Sequence, residues 1–151
     1  VSTKLFVCRT SAVSVAAATT QTLVQAVAAD ANTPLTVKQL QVSFKDPTSS
    51  DTEVLVELLR QSTAGTASAL TPVSWREDES PAARFTALQT FTAEPTAGNI
   101  LDSFYVLPYG GLVVIQYPID GEPRATSRIG VRVTTVASQA QTVCASLLLA
   151  E

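Results

Sequence analysis

The strongest constraint on the fold is a period of two. From Arg128 to Val136, Ile129, Val131 and Val133 fall on one side, and Arg128, Gly130, Arg132 and Thr134 on the other. Successive side chains of a strand point to opposite faces, so this pattern predicts a half-buried antiparallel strand. Thr142–Leu149 repeats it, with Val143, Ala145, Leu147 and Leu149 opposite Cys144, Ser146 and Leu148. In Glu53–Leu59, Val54, Val56 and Leu58 share one face. Leu35–Phe44 alternates too, but its parity changes at Lys38–Gln39, which predicts a β-bulge or a passage between sheets.

Further strands are predicted at Leu5–Arg9, Ser14–Ala17, Thr22–Ala28, Phe85–Phe91 and Ile100–Leu107. Alanine is plentiful over residues 12–31, but Val13, Val15, Thr19, Thr20, Thr22, Val24 and Val27 favour strand over helix. Leu112–Tyr117 is apolar on both faces, as expected of a central strand or of one whose outer face meets a partner. Tyr109-Gly110-Gly111 before it reads as the turn of a hairpin with Ile100–Leu107. Gln61–Arg84 reads as a long irregular segment carrying Pro72, Trp75, the Arg76–Glu79 charge cluster and Pro81. The expectation is an all-β chain of eight to ten short strands. They form one antiparallel, jelly-roll-like β-sandwich over residues 1–151, with 1–20 as an arm or strand.

The chain has no histidine. That excludes histidine general acid–base chemistry, histidine–metal sites and serine– or cysteine–histidine nucleophile pairs. Glu77, Asp78 and Glu79 are contiguous and read as a solvated loop rather than a catalytic pair set across a cleft. Asp46, Asp51, Asp102 and Asp120 sit near strand ends without ligand spacing for calcium. No phosphate-binding glycine motif occurs. Cys8, beside Arg9, reads as a buried strand thiol, and Cys144 as a second free thiol. No catalytic residue, cofactor or metal is expected, and the chain does not read as an enzyme.

Lys4 and Arg9 ahead of the Ala12–Ala18 run faintly resemble a secretory signal, but Ser11, Ser14, Thr19 and Thr20 interrupt it. Val1 is a residue type that permits removal of an initiator methionine. No run reaches the length of a membrane-spanning helix.

Only 15% of residues are charged while 46% are hydrophobic, and the net charge is −3. Such a surface does not suit nucleic acid and suggests that apolar area is covered by another subunit. The expected contacts are Leu5, Trp75, Arg76, Leu112, Val114 and Tyr117, from the N-terminal end, the long loop and the two-faced strand. Trp75, with Tyr105, Tyr109 and Tyr117, also invites a sugar-stacking reading, weakened because no cluster of Asn, Asp or Gln hydrogen-bonders accompanies it.

Thr22–Pro72 (with "VSF" at Val42–Phe44 and "VELLRQ" at Val56–Gln61), "FTAEPTAG" at Phe91–Gly98 and "VLPYGGLVVIQYP" at Val106–Pro118 resemble a group of small all-β proteins. These are encoded in tailed-phage and prophage settings. The resemblance implies a virion protein such as a head decoration (cementing) protein. It would be made in the host cytoplasm, form homotrimers and bind the major capsid protein on the capsid surface. A receptor- or carbohydrate-binding module of a tail fibre, or a main shell or tail component, are the other roles it allows.

Overall fold

A computed structural model describes residues 3–47, 52–76, 82–136 and 139–151. The chain is an all-β sandwich of two antiparallel sheets. Its strands are β1 (Leu5–Arg9), β2 (Val13–Val15), β3 (Thr20–Val27), β4 (Leu35–Lys45) and β5 (Val54–Gln61). There follow β6 (Thr66–Leu70), β7 (Val73–Ser74), β8 (Thr86–Ala93), β9 (Ala97–Val106), β10 (Val113–Gln116), β11 (Arg124–Ala125), β12 (Arg128–Thr134) and β13 (Gln141–Ala150). The seven-stranded sheet runs β10-β4-β13-β1-β7, with β11 on β4 and β2 on β13. The six-stranded sheet runs β6-β8-β3-β12-β5-β9. Long neighbours such as β4 and β13, or β3 and β12, are distant in sequence, and the chain crosses repeatedly between the two sheets.

The alternation builds the core directly. Ile129, Val131 and Val133 of β12, with Val54, Val56 and Leu58 of β5, face Val143, Ala145, Leu147 and Leu149 of β13, all essentially inaccessible to solvent. On β4 the parity change is a bulge. Leu148 pairs with Gln39 but Leu149 pairs with Val37, leaving Lys38 as the extra residue. Leu35 and Val37 before it, and Leu40 and Val42 after it, can then all point inward. The strand reading of residues 12–31 is what the structure has: β2 lies on β13 and β3 is the central neighbour of β12. Phe6 of β1 meets Phe85 edge to face, ring centroids 5.6 Å apart, closing one side of the core.

Three expectations are corrected. Ile100–Leu107 and Leu112–Tyr117 do not form a hairpin. β9 pairs with β5 in one sheet and β10 with β4 in the other. A tight 3-10 turn at Pro108–Gly110, followed by Gly111 at φ +81°, steps the chain between sheets instead. β10 is therefore an edge strand rather than a central one, and its second apolar face is open to solvent. The segment Gln61–Arg84 is less irregular than its Thr, Ala and Ser content suggests. β6 pairs with β8 and β7 with β1, so strand pairing decides where intrinsic preference is weak. The Glu77–Glu79 cluster and Asp51 lie outside the described residues, as does Pro81.

Over β3 and the end of β5, the outer face of the six-stranded sheet is covered by a hydrogen-bond network, while Tyr105 of β9 on the same sheet stays exposed. Gln25 donates through Nε2 to Gln61 Oε1 at 2.7 Å and to the Thr63 carbonyl at 3.0 Å. Gln61 Nε2 donates to Thr22 Oγ1, and Thr22 donates through its hydroxyl and its backbone N–H to the Glu94 carboxylate. Arg132 pairs with the buried Glu57 at 2.8 Å. The segments carrying Thr63 and Glu94 thus lie over this face and satisfy it.

Candidate functional site

The outer face of the seven-stranded sheet is the contrasting surface. Strand register sets its rows: Val73, Val7, Leu148, Gln39 and Gln116 run across one level, and Arg9, Ser146, Gln41 and Val114 across the next. Cys144 and Ser43 pair at a third level. A groove of about 550 Å³ runs over these rows. Trp75 and Val7 line one flank and Leu112 the other; Gln41, Ser43, Cys144 and Ser146 contribute the floor, and Arg9 lines it too. Trp75 is 57% exposed and Leu112 is 59% exposed, which is unusual for such large apolar groups in a chain with a full core.

The floor is chemically unspent. Among the described residues, the side chains of Arg9, Gln41, Ser43 and Ser146 make no hydrogen bond to the protein. A guanidinium, an amide and two hydroxyls therefore point to solvent beside an indole. Such a floor can hydrogen-bond a polar backbone or a hydroxylated ligand while Trp75 and Leu112 supply apolar contact. Gln116 and Gln39, one row away, instead bond each other at 3.2 Å.

Trp75 is held in place by backbone pairing. β7 adds to the edge of β1, and the Trp75 N–H donates to the Leu5 carbonyl at 2.9 Å. On the opposite side, the positive φ at Gly111 releases Leu112 to project beyond the edge of β4, where a side chain on residue 111 would be strained.

The structure brings Trp75, Leu112 and Val114 onto this one face, with Leu5 at its margin, half-buried. Arg76 is exposed, one residue beyond Trp75, and its carbonyl accepts from Ser74 Oγ. Tyr117 is placed differently. Its ring packs against the core, and its hydroxyl donates to Asp102 Oδ2 at 2.9 Å, tying the β10 end to β9 across the open side of the sandwich. Burial and that carboxylate raise its pKa, and the bond ties the two sheets together. Tyr105 and Tyr109 are exposed elsewhere and do not line the groove with Trp75.

Sequence reasoning missed Gln41, Ser43 and Ser146 as partners of Trp75. They are the outward positions of two strands whose alternation was legible, but their meeting depends on β4 pairing with β13, which no local pattern encodes. The thiols lie on opposite faces of this sheet, Cys8 in the core and Cys144 at the groove floor, and both are free. Burial pushes the Cys8 thiol up to about 12, so it is inert in the folded chain. Among the described residues no three Cys, Asp or Glu side chains converge as a metal set, and no helix is long and apolar enough to cross a membrane. No protein-family model, curated protein or solved structure matches this chain.

Proposed function

We propose that this chain is a non-enzymatic structural protein of a virion that works by adhesion. Its most fitting role is that of a capsid decoration protein, oligomeric (a homotrimer by preference), gripping the major capsid protein of a phage head. The observation that carries this reading is the open groove flanked by Trp75 and Leu112. A sandwich with one unspent, partly apolar face is suited to repeated docking in a symmetric lattice, where many modest contacts add by avidity. An exposed tryptophan beside unpaired polar groups has the make-up of an interface hot spot, where truncation costs about 2 kcal/mol or more of binding.

Light scattering coupled to gel filtration, followed by co-sedimentation with heads of the cognate capsid protein, tests this. The expected result is a mass near three times 15.9 kDa and saturable head binding that the double variant Trp75→Ala/Leu112→Ala abolishes. A wild-type chain that stays monomeric and does not sediment with heads overturns it.

A second reading rests on a specific observation. Gln41, Ser43, Ser146 and Arg9 place hydrogen-bonding side chains in the same groove as Trp75, which fits a glycan stacked on the indole. A glycan array that lights up with wild type and goes dark with Trp75→Ala, the native mass being unchanged, favours that reading over the first.

A further inference from the structure

A second concavity, of about 390 Å³, lies at one end of the sandwich, where the end of β5, the start of β9 and the β11–β12 turn meet. Arg60 and Arg128 both line it, together with Ser62, Asn99, Thr126 and Ser127. The arginines are held by neutral acceptors. Arg60 donates from Nε and Nη2 to the Arg124 carbonyl at 3.2 and 2.9 Å, and Arg128 donates from Nη1 to Gln25 Oε1 at 3.0 Å. These bonds fix the side chains without compensating their charge.

Neither arginine has an ion-pair partner among the described residues, and no carboxylate lines the concavity. The side chains of Ser62, Asn99, Thr126 and Ser127 are likewise unbonded among the described residues. The chain carries −3 net charge and only ten basic residues, so two uncompensated guanidiniums at one concavity are a local reversal of its overall sign.

We propose that this end concavity is a binding site for a small ligand bearing an oxyanion, a phosphate or a carboxylate group. Arginine presents its donors in a planar fork that matches such groups, and the two guanidiniums are already immobilised by the Arg124 carbonyl and by Gln25. The hydroxyls of Ser62, Thr126 and Ser127 and the amide of Asn99 complete a donor-rich lining. The site shares no lining residue with the Trp75 groove, and its failure leaves the adhesive reading untouched.

The test is an NMR titration of the full chain with sodium phosphate, and separately with sodium acetate, at constant ionic strength. The expected result is saturable shifts confined to the Asn99 and Ser127 amides and the Arg60 and Arg128 side-chain signals. Arg60→Gln should weaken binding at least five-fold, while Arg9→Gln, in the other groove, leaves it unchanged. Because Arg128 also supports Gln25, Asn99→Ala serves as the second variant, expected to weaken binding about two- to three-fold with an otherwise superimposable spectrum. Tighter phosphate than acetate identifies a phosphate ligand, and the reverse order a carboxylate. Shifts that sodium chloride reproduces, that fail to saturate with either anion, or that survive Arg60→Gln overturn the site.

Discussion

The two outer faces of this sandwich carry similar side chains and treat them in opposite ways. On the six-stranded sheet, Thr22 and Gln25 are inaccessible, and every donor and acceptor of the glutamine pair finds a partner under the Thr63 and Glu94 segments. On the seven-stranded sheet, Gln41, Ser43 and Ser146 have nothing above them but solvent. Polar residues on a strand's outer face therefore do not by themselves mark function. What distinguishes the faces is whether the chain returns to cover its own sheet. The covered face contributes to folding, and the uncovered one keeps its bonding capacity for something else.

The largest expected effect tests the covered face. Gln25→Ala removes two donated bonds and one accepted bond from a buried network, leaving Gln61 Oε1 and the Thr63 carbonyl without that donor. Unsatisfied buried polar groups cost about 1–3 kcal/mol each, so a loss of about 3 kcal/mol is expected by chemical denaturation. Gln41→Ala, the same change on the open face, should stay within about 0.5 kcal/mol. Equal losses at the two positions would break the contrast.

Gly130→Ala sharpens it. A Cβ on residue 130 would fall 2.3 Å from Gln61 Oε1 and 3.2 Å from the Val24 carbonyl, so the glutamine must leave its network. About 2 kcal/mol is expected in the wild-type background. In a Gln61→Ala background the clash with the amide is gone, only the 3.2 Å approach to the Val24 carbonyl remains, and the added cost should drop below about 1 kcal/mol. A double-mutant cycle with additive losses would show that the glycine serves some other purpose.

Much of this was legible in the sequence. Strand alternation at Ile129–Val133 and Val143–Leu149 placed the core, and the parity change at Lys38–Gln39 pointed to a bulge or a passage between sheets, of which the structure has the bulge, because both are consequences of a two-residue period. The choice of partner strand was not legible. Gly110-Gly111 is as good a hairpin turn as it is a link between sheets, and only the competing pairings of β9 with β5 and of β10 with β4 decide the matter. For the same reason Trp75, Leu112 and Val114 could be singled out as apolar and unplaced, while the polar floor between them could not. The tie from the Tyr117 hydroxyl to Asp102, a partner on the other sheet, was likewise not legible.

At the margin of the open face, Lys38, the bulge residue, pairs with Glu122 from the link between β10 and β11. The hydrogen bond from Lys38 lowers the Glu122 pKa below its ordinary value of 4.5. A carboxylate whose folded pKa is depressed contributes stability above the unfolded value and loses it as pH falls through the folded one. Stability should therefore decline below about pH 4.5. Glu122→Gln should remove part of that decline, measured by urea denaturation at pH 3 and pH 7. An unchanged pH dependence would mean that this pair does not couple to folding.

Only a small effect on stability is expected from the flanks of the groove. Trp75 and Leu112 are more than half exposed, so replacing both with alanine should shift unfolding by no more than about 0.5–1 kcal/mol. The same double variant should change what the groove does. Cys144 lies at its floor and is free, so its alkylation rate reports whether the groove is covered. Buried Cys8 reacts only on unfolding and serves as the internal control. If subunits or capsid protein dock there, Cys144 in the wild type should become protected on assembly, and the double variant should lose that protection without losing stability. Protection that persists in the double variant would move the docking surface away from Trp75 and Leu112. A Cys144 that reacts equally fast before and after assembly would mean that the uncovered face stays uncovered, and would move the docking surface off this face.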